Sequence, residues 1–175
     1  MKHFALSIAA AMLVAACTSI PDGLAPVENF QADRYLGKWY EIARLDHSFE
    51  RGLTNVSAIY TRKTNGDIHV LNRGYVPADA IWKEIEGRAT FLKDDSTGSL
   101  KISFFGPFYG GYHIIELDRD AYSYAVVTGP TRSYLWILSR SRDMNETLYE
   151  RLVAMAAEWG FDTSDLVKVK HDLPG

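Results

Sequence analysis

Apolar and polar positions alternate with a period of two along most of this chain, in short runs closed by turn residues. Leu100-Lys101-Ile102-Ser103-Phe104 is the plainest run, apolar on one face and polar on the other. Comparable runs predict strands over 39–45, 56–62, 68–76, 81–92, 100–105, 112–117, 124–128 and 134–140. Thr64-Asn65-Gly66-Asp67 between two of them is a hairpin signal, because Asn and Gly both tolerate positive φ. Pro77-Ala78-Asp79, the glycine-rich stretch 106–111 and Gly129-Pro130-Thr131 read as further turns. The longer polar stretch 46–53 reads as a loop. A short helical turn over 31–36 precedes Gly37, where the chain turns into the first strand.

Only near the C-terminus does the period become helical. Met144, Leu148, Leu152, Met155 and Trp159 form one apolar stripe, predicting a helix over 143–160 that docks on the outside of the sheet. Asp143 with Glu146 suits a capping box, and Gly160 suits the stop. A ninth strand is expected over 166–169. Eight short strands with no helix between them describe an antiparallel meander, and closure would remove both of its exposed edges. The fold class expected is all-β with one C-terminal helix, an eight-stranded antiparallel up-and-down β-barrel. Because eight is even, Trp39 on the first strand and Arg140 on the eighth meet at one rim, guanidinium on indole. Loops 46–53, 77–79, 106–111 and 129–133 then fall at the opposite, open end.

The first residues do not belong to this pattern. Phe4 to Ala16 is an apolar run too short for a bilayer span, which needs about 20 residues, but suited to a secretory signal. Its end, Leu13-Val14-Ala15-Ala16-Cys17, resembles the bacterial lipobox, which is cut before a cysteine that then becomes acylated. The chain divides into a signal peptide (1–16), a lipidated tether (17–28) and a barrel domain (29–175). By the same resemblance, Thr18 rather than Asp after the cysteine implies the outer membrane, with the protein lipid-anchored and facing the periplasm. Acyl chains such as palmitate on Cys17 would hold it there.

Composition changes this picture little. Apolar residues are 47% and charged residues 23%, as in ordinary globular chains. The 10 Tyr, 8 Phe and 4 Trp favour strands or a lined cavity over a helical bundle. A net charge of −3 without a basic tract argues against nucleic acid as a partner. A lone cysteine can form no internal disulfide.

Three motifs resemble, in order, the conserved regions of the lipocalins. They are Gly37-Lys38-Trp39-Tyr40-Glu41, Asp118-Arg119-Asp120 leading to Tyr124, and Arg140 after Leu135-Trp136-Ile137-Leu138-Ser139. Within that family, Tyr35 to Arg44, Ser103 to Tyr112 and Tyr134 to Arg140 are most similar to the bacterial outer-membrane members. Ala121 departs from the pattern, since many lipocalins carry Tyr there. The resemblance implies a closed end built on Gly37, Trp39 and Arg140. It also implies a cavity for a lipid, a fatty acid or lysophospholipid, bound or carried for envelope storage or maintenance.

Period-2 parity nominates the lining: Val56, Ala58 and Tyr60; Leu100, Ile102 and Phe104; Tyr112 and Ile114; Trp136 and Leu138. The same residues suit plain core packing equally well. Tyr60 and Tyr112 could hydrogen-bond a head group, and Arg44 or Arg73 could offset its charge if either faces the mouth. A haem- or pigment-binding barrel is the first alternative, with His113 as the only axial ligand, although parity points it outward. An enzyme on the same scaffold is the second, with no constellation of residues to support it, and a structural envelope lipoprotein with a filled barrel is the third. The five His are scattered, and no nucleophile elbow or phosphate loop is present, so no catalytic residue, metal or cofactor is expected. Glu84 and Glu86 read as a solvent face. Oligomeric state is left open, a homodimer included.

Overall fold

The structure, a computed structural model, describes residues 18–173; Cys17 and the signal segment lie outside the described residues. A single helical turn, α1 (Ala32–Tyr35), leads into β1 (Gly37–Leu45). There follow β2 (Thr54–Arg62), β3 (Ile68–Val76), β4 (Ile81–Phe91), β5 (Ser99–Phe105), β6 (Phe108–Leu117), β7 (Tyr124–Thr128) and β8 (Leu135–Ser139). Helix α2 (Glu146–Glu158) and the short β9 (Leu166–Lys168) complete the chain. From β1 to β8 each strand pairs antiparallel with the next, β1 pairs with both β2 and β8, which closes the barrel, and β9 adds to β1.

Closure is uneven along β1. Near its start Gly37 to Tyr40 face β2, whereas Ala43 to Leu45 face β9 on the same edge. A register shift between Glu41 and Ala43 marks where β1 bends away from β2. The C-terminal segment covers the gap: Asn55 N–H donates to Lys170 O at 2.7 Å, and Leu173 N–H donates to Asn55 Oδ1 at 2.9 Å.

Two apolar clusters follow from the alternation. One fills the lower barrel around Trp39, Leu100, Ile114 and Val127. The other lies outside, where Met144, Leu148, Leu152, Met155 and Trp159 of the α2 stripe pack on Ile42, Ala43, Val126 and Ile137. That stripe docks as its spacing predicts. The helix is shorter than the expected 143–160, however, and Asn145 caps it in place of Asp143. Its Oδ1 accepts from the Leu148 N–H at 3.2 Å, which satisfies a first-turn donor.

The stretch 106–111 is not the loop its glycines suggest. The turn is only Gly106-Pro107, and Gly110 and Gly111 belong to β6, opposite Ile102 and Lys101. The glycine at 111 answers a different need. A Cβ there would lie 2.7 Å from His113 Nε2 and 3.2 Å from Ser19 O, so the N-terminal segment packs only on a bare backbone.

At the closed end Gly37 has φ +93°, and a Cβ on it would touch Arg140 Nη1 at 3.4 Å. The Arg140 guanidinium lies 3.9 Å from the centre of the Trp39 ring. It donates to Lys38 O at 2.9 Å, Arg34 O at 2.7 Å and Tyr122 O at 3.2 Å. Arg140→Ala should destabilise the fold by about 2–4 kcal/mol, through the lost stack and the charge-assisted bonds. Arg140→Lys should restore only part of this, having no planar fork. Urea unfolding measures both; a loss below about 1 kcal/mol for the alanine variant would contradict the closing role.

Candidate functional site

Counting strand reversals from the Trp39 end puts the 46–53 loop, the β3–β4 and β5–β6 turns and the β7–β8 connection at the opposite end. The inward residues change character between the two. Trp39, Tyr60, Leu100, Ile114 and Val127 are buried at and above the floor. Ala58, Ile102, Phe104, Tyr112 and Trp136 also point inward, yet remain partly accessible. The barrel is therefore plugged below and accessible above.

The floor is aromatic. Tyr35 and Tyr112 hydroxyls lie 2.7 Å apart, and those of Tyr60 and Tyr112 lie 2.9 Å apart. Trp39 Nε1 donates to Tyr35 O at 2.8 Å. Burial pushes the pKa of all three tyrosines up, so each stays a neutral phenol. The space left among Phe30, Tyr35, Tyr60, Ile68, Leu100, Ile102 and Tyr112 is about 10 Å³, about enough for one water molecule. Tyr60 and Tyr112 are thus committed to one another and to Tyr35, deep in the barrel rather than at its mouth.

The parity choices come together as one surface. Ala58, Tyr60, Leu100, Tyr112, Ile114 and Leu138 share a cluster with Ile102, Phe104 and Trp136. Val56 is buried higher up, where Gly74 lets its side chain and that of Leu53 approach the sheet. Phe104 lies flat over Gly87, since a Cβ there would be 2.7 Å from its ring. Asn72 opposes Ala58 across the β2–β3 pairing, and its buried Oδ1 has no hydrogen-bond partner.

The upper barrel holds a polar group that alternation alone does not reveal. Glu41 and Arg44 both point inward because the bulge spends an extra residue, sending Ile42 and Ala43 together to the outer cluster. Arg44 Nη1 donates to Glu41 Oε1 at 2.7 Å, and Nη2 donates to Glu50 O at 2.8 Å and Leu53 O at 3.3 Å. Its Nε is buried without a partner. Glu50, carried over the mouth by the 46–53 loop, accepts from Trp136 Nε1 at 3.0 Å. His47 Nε2 lies 3.0 Å from the same carboxylate but out of line, so neither ring nitrogen makes a hydrogen bond. The loop is therefore latched inward on Arg44 and Trp136. Of the two arginines considered for a head group, only Arg44 faces in; Arg73 lies on the outer face, 4.0 Å over the Trp82 ring.

His113 points outward, as parity requires, but it is not exposed. Its Nδ1 is 2.8 Å from Ser99 Oγ and its Nε2 donates to Ser19 O at 2.9 Å. Burial lowers its pKa and keeps the ring neutral. With both nitrogens engaged outside the barrel it cannot serve as a ligand to a haem inside, and that alternative loses its one candidate.

This closed, half-filled barrel with a capped floor is the architecture of a small-molecule binding protein. Residues 30–171 match the family model for the lipocalin-like domain, and the chain belongs to the lipocalins. Outer membrane lipoprotein Blc of Vibrio cholerae is 49% identical over 164 residues, spanning 94% of this chain and 96% of that one. The protein of the same name in Escherichia coli K12 is also 49% identical, covering 93% and 92%. Temperature-induced lipocalin-1 of Arabidopsis thaliana is 36% identical over 85% of this chain and 83% of its own. Among solved structures, insecticyanin of Manduca sexta superposes with a TM-score of 0.69 at 18% identity, covering 89% and 88%, which shows the shared fold. The relatives named for their place in the cell put this chain among outer-membrane lipoproteins.

The carboxyl of Glu41 carries a testable consequence. Burial, and then the facing Glu50 carboxylate, push its pKa well above the ordinary 4.5, and Arg44 only partly offsets them. The folded state thus binds more protons than the unfolded chain. This contribution is full below pH 4.5 and is lost as pH rises through the raised value. Melting temperatures between about pH 5 and 8 should fall less in Glu41→Gln than in the parent. Parallel pH profiles would contradict the assignment.

Proposed function

We propose that the barrel binds or transports one lipid at a time, a fatty acid or a lysophospholipid, from a protein anchored through acylated Cys17 and facing the periplasm. The observation that carries this reading is the gradient along the barrel axis. Above a sealed aromatic floor, the apolar side chains of Ala58, Ile102, Phe104 and Trp136 are only partly buried. A single acyl chain matches such a surface, apolar on its flanks with few polar groups. Toward the mouth, the unpartnered Arg44 Nε and Asn72 Oδ1 offer one donor and one acceptor to a head group. The lipocalin family and the outer-membrane lipoproteins among its relatives support a binding protein rather than an enzyme. Storage or maintenance of the envelope is the role this chemistry suits.

Native mass spectrometry of a Cys17→Ser form against mixed fatty acids, lysophospholipids and haem tests the reading. One lipid retained at one-to-one is the expected result. Ala58→Phe, which fills the accessible wall without touching the floor, should weaken that lipid at least about tenfold, roughly 1.4 kcal/mol. No retained lipid, with the fold intact, would favour a structural barrel filled by its own side chains.

A further inference from the structure

Large apolar side chains are distributed unequally between the two ends. Phe108 is 76% exposed, Phe105 71%, Phe49 60% and Ile81 46%, and all four stand at the open end. Phe49 rides on the 46–53 loop, Ile81 starts β4, and Phe105 and Phe108 flank the Gly106-Pro107 turn. At the closed end Leu92, 37% exposed, is the one large apolar side chain of this kind among the described residues, and charge prevails there: Arg62 pairs with Asp33 at 2.9 Å and with Asp95 at 3.6 Å. Arg34 there donates to Asp120 O at 2.6 Å. Nothing in the barrel interior requires the four apolar groups to face water, and a cluster of this kind marks a contact with another apolar surface.

The course of the N-terminal segment says which surface. Ser19 O accepts from His113, and the backbone of Thr18 lies 3.3 Å from where a Gly111 Cβ would stand. Asp22 O accepts from Arg132 Nη2 at 2.8 Å, on the β7–β8 connection. From there the chain descends toward the closed end: Val27 N–H donates to Ile114 O, and Phe30 N–H to Ser96 O. Thr18 and Asp22 both lie toward the mouth, Thr18 beside Gly111, a residue only three positions from Phe108 on β6. At a strand rise of about 3.3 Å per residue, that is about 10 Å below the rim. Cys17 is one peptide bond further, about 3.8 Å between Cα atoms.

We propose that the open rim docks on the bilayer that carries the anchor, with Phe49, Ile81, Phe105 and Phe108 seated in its interfacial layer. An acylated Cys17 holds the mouth end at the membrane surface, and the apolar rim is the second contact that fixes orientation. The closed end could face the lipid only by stripping the segment from Thr18 to Val27 off β6. A docked rim opens the barrel directly onto the leaflet, so an acyl chain passes between bilayer and cavity without crossing water. The inference rests on anchorage at Cys17 and is independent of which lipid the barrel holds.

The test uses the full acylated protein in liposomes of phosphatidylethanolamine and phosphatidylglycerol. Acylation consumes the only native thiol, so Phe108→Cys or, at the closed end, Asn65→Cys supplies a unique site for a fluorophore. Nitroxide placed near the lipid head group should quench the label at position 108 several-fold more than the label at 65. Adding Phe105→Ser and Phe49→Ser to the 108-labelled protein should reduce that difference at least twofold. Equal, weak quenching at both positions would overturn the proposal. So would a label at 108 shielded from aqueous iodide yet untouched by nitroxide, the result expected if a second copy covers the rim. No ligand is added, so a barrel that binds no lipid gives the same quenching. A protein that fails to float with the liposomes overturns the anchorage and the docking together.

Discussion

Closure of the sheet at β1 depends on one contact, the Arg140 guanidinium laid on Trp39. β1 must hydrogen-bond β2 and β8 at once, although its upper half bends away from β2. Arg140 makes this geometry stable by joining four pieces of chain. It extends β8, stacks on a β1 side chain, and binds the carbonyls of α1, of β1 and of the turn before β7. Even a half-buried guanidinium is costly unless its donors are satisfied. Here three carbonyls accept from it and the indole face takes the remaining field. Desolvation lowers its pKa, but a guanidinium is so strongly basic that the charge persists at neutral pH.

The interior follows from that closure. Small barrels can fill themselves, and the lower half of this one does, with Trp39 and three linked tyrosines leaving space for about one water. Higher up, the bulge in β1 turns two charged side chains inward and the 46–53 loop brings a third. This arrangement is held by the bonds Arg44 makes to Glu41 and to the Glu50 carbonyl and by the one Trp136 makes to the Glu50 carboxylate, with Arg44 Nε left over. The barrel thus has an inert floor, an apolar accessible wall and a polar collar beneath its mouth.

Much of this was legible in the chain because alternation in a half-buried strand reports a face directly. Leu100, Ile102 and Phe104 can be placed inside from the alternation alone, and so can Trp136 and Leu138. Trp39 and Arg140 could be paired by the parity of the strand count. What escaped were features that break the period. The bulge between Glu41 and Ala43 has no sequence mark, so the inward turn of Arg44 could be raised only as a condition. Glu50 and His47 sit in a polar stretch that composition describes as an ordinary loop. Gly110 and Gly111 read as a turn, whereas they lie in β6 and make room for Ser19. Nothing in the local pattern around His113 signals that it accepts cover from a segment 94 positions away.

In the proposed binding mode a lipid chain runs down the partly buried wall and stops above the tyrosine floor. The most direct measurement is a set of intermolecular NOEs between a lysophospholipid and methyl-labelled protein. Contacts are expected from the lipid's mid-chain and terminal methyl protons to Ala58 and Ile102, with the head group nearer Val56. Contacts confined to the exterior around Phe105 and Phe108, or none at all, would contradict a lipid inside the barrel.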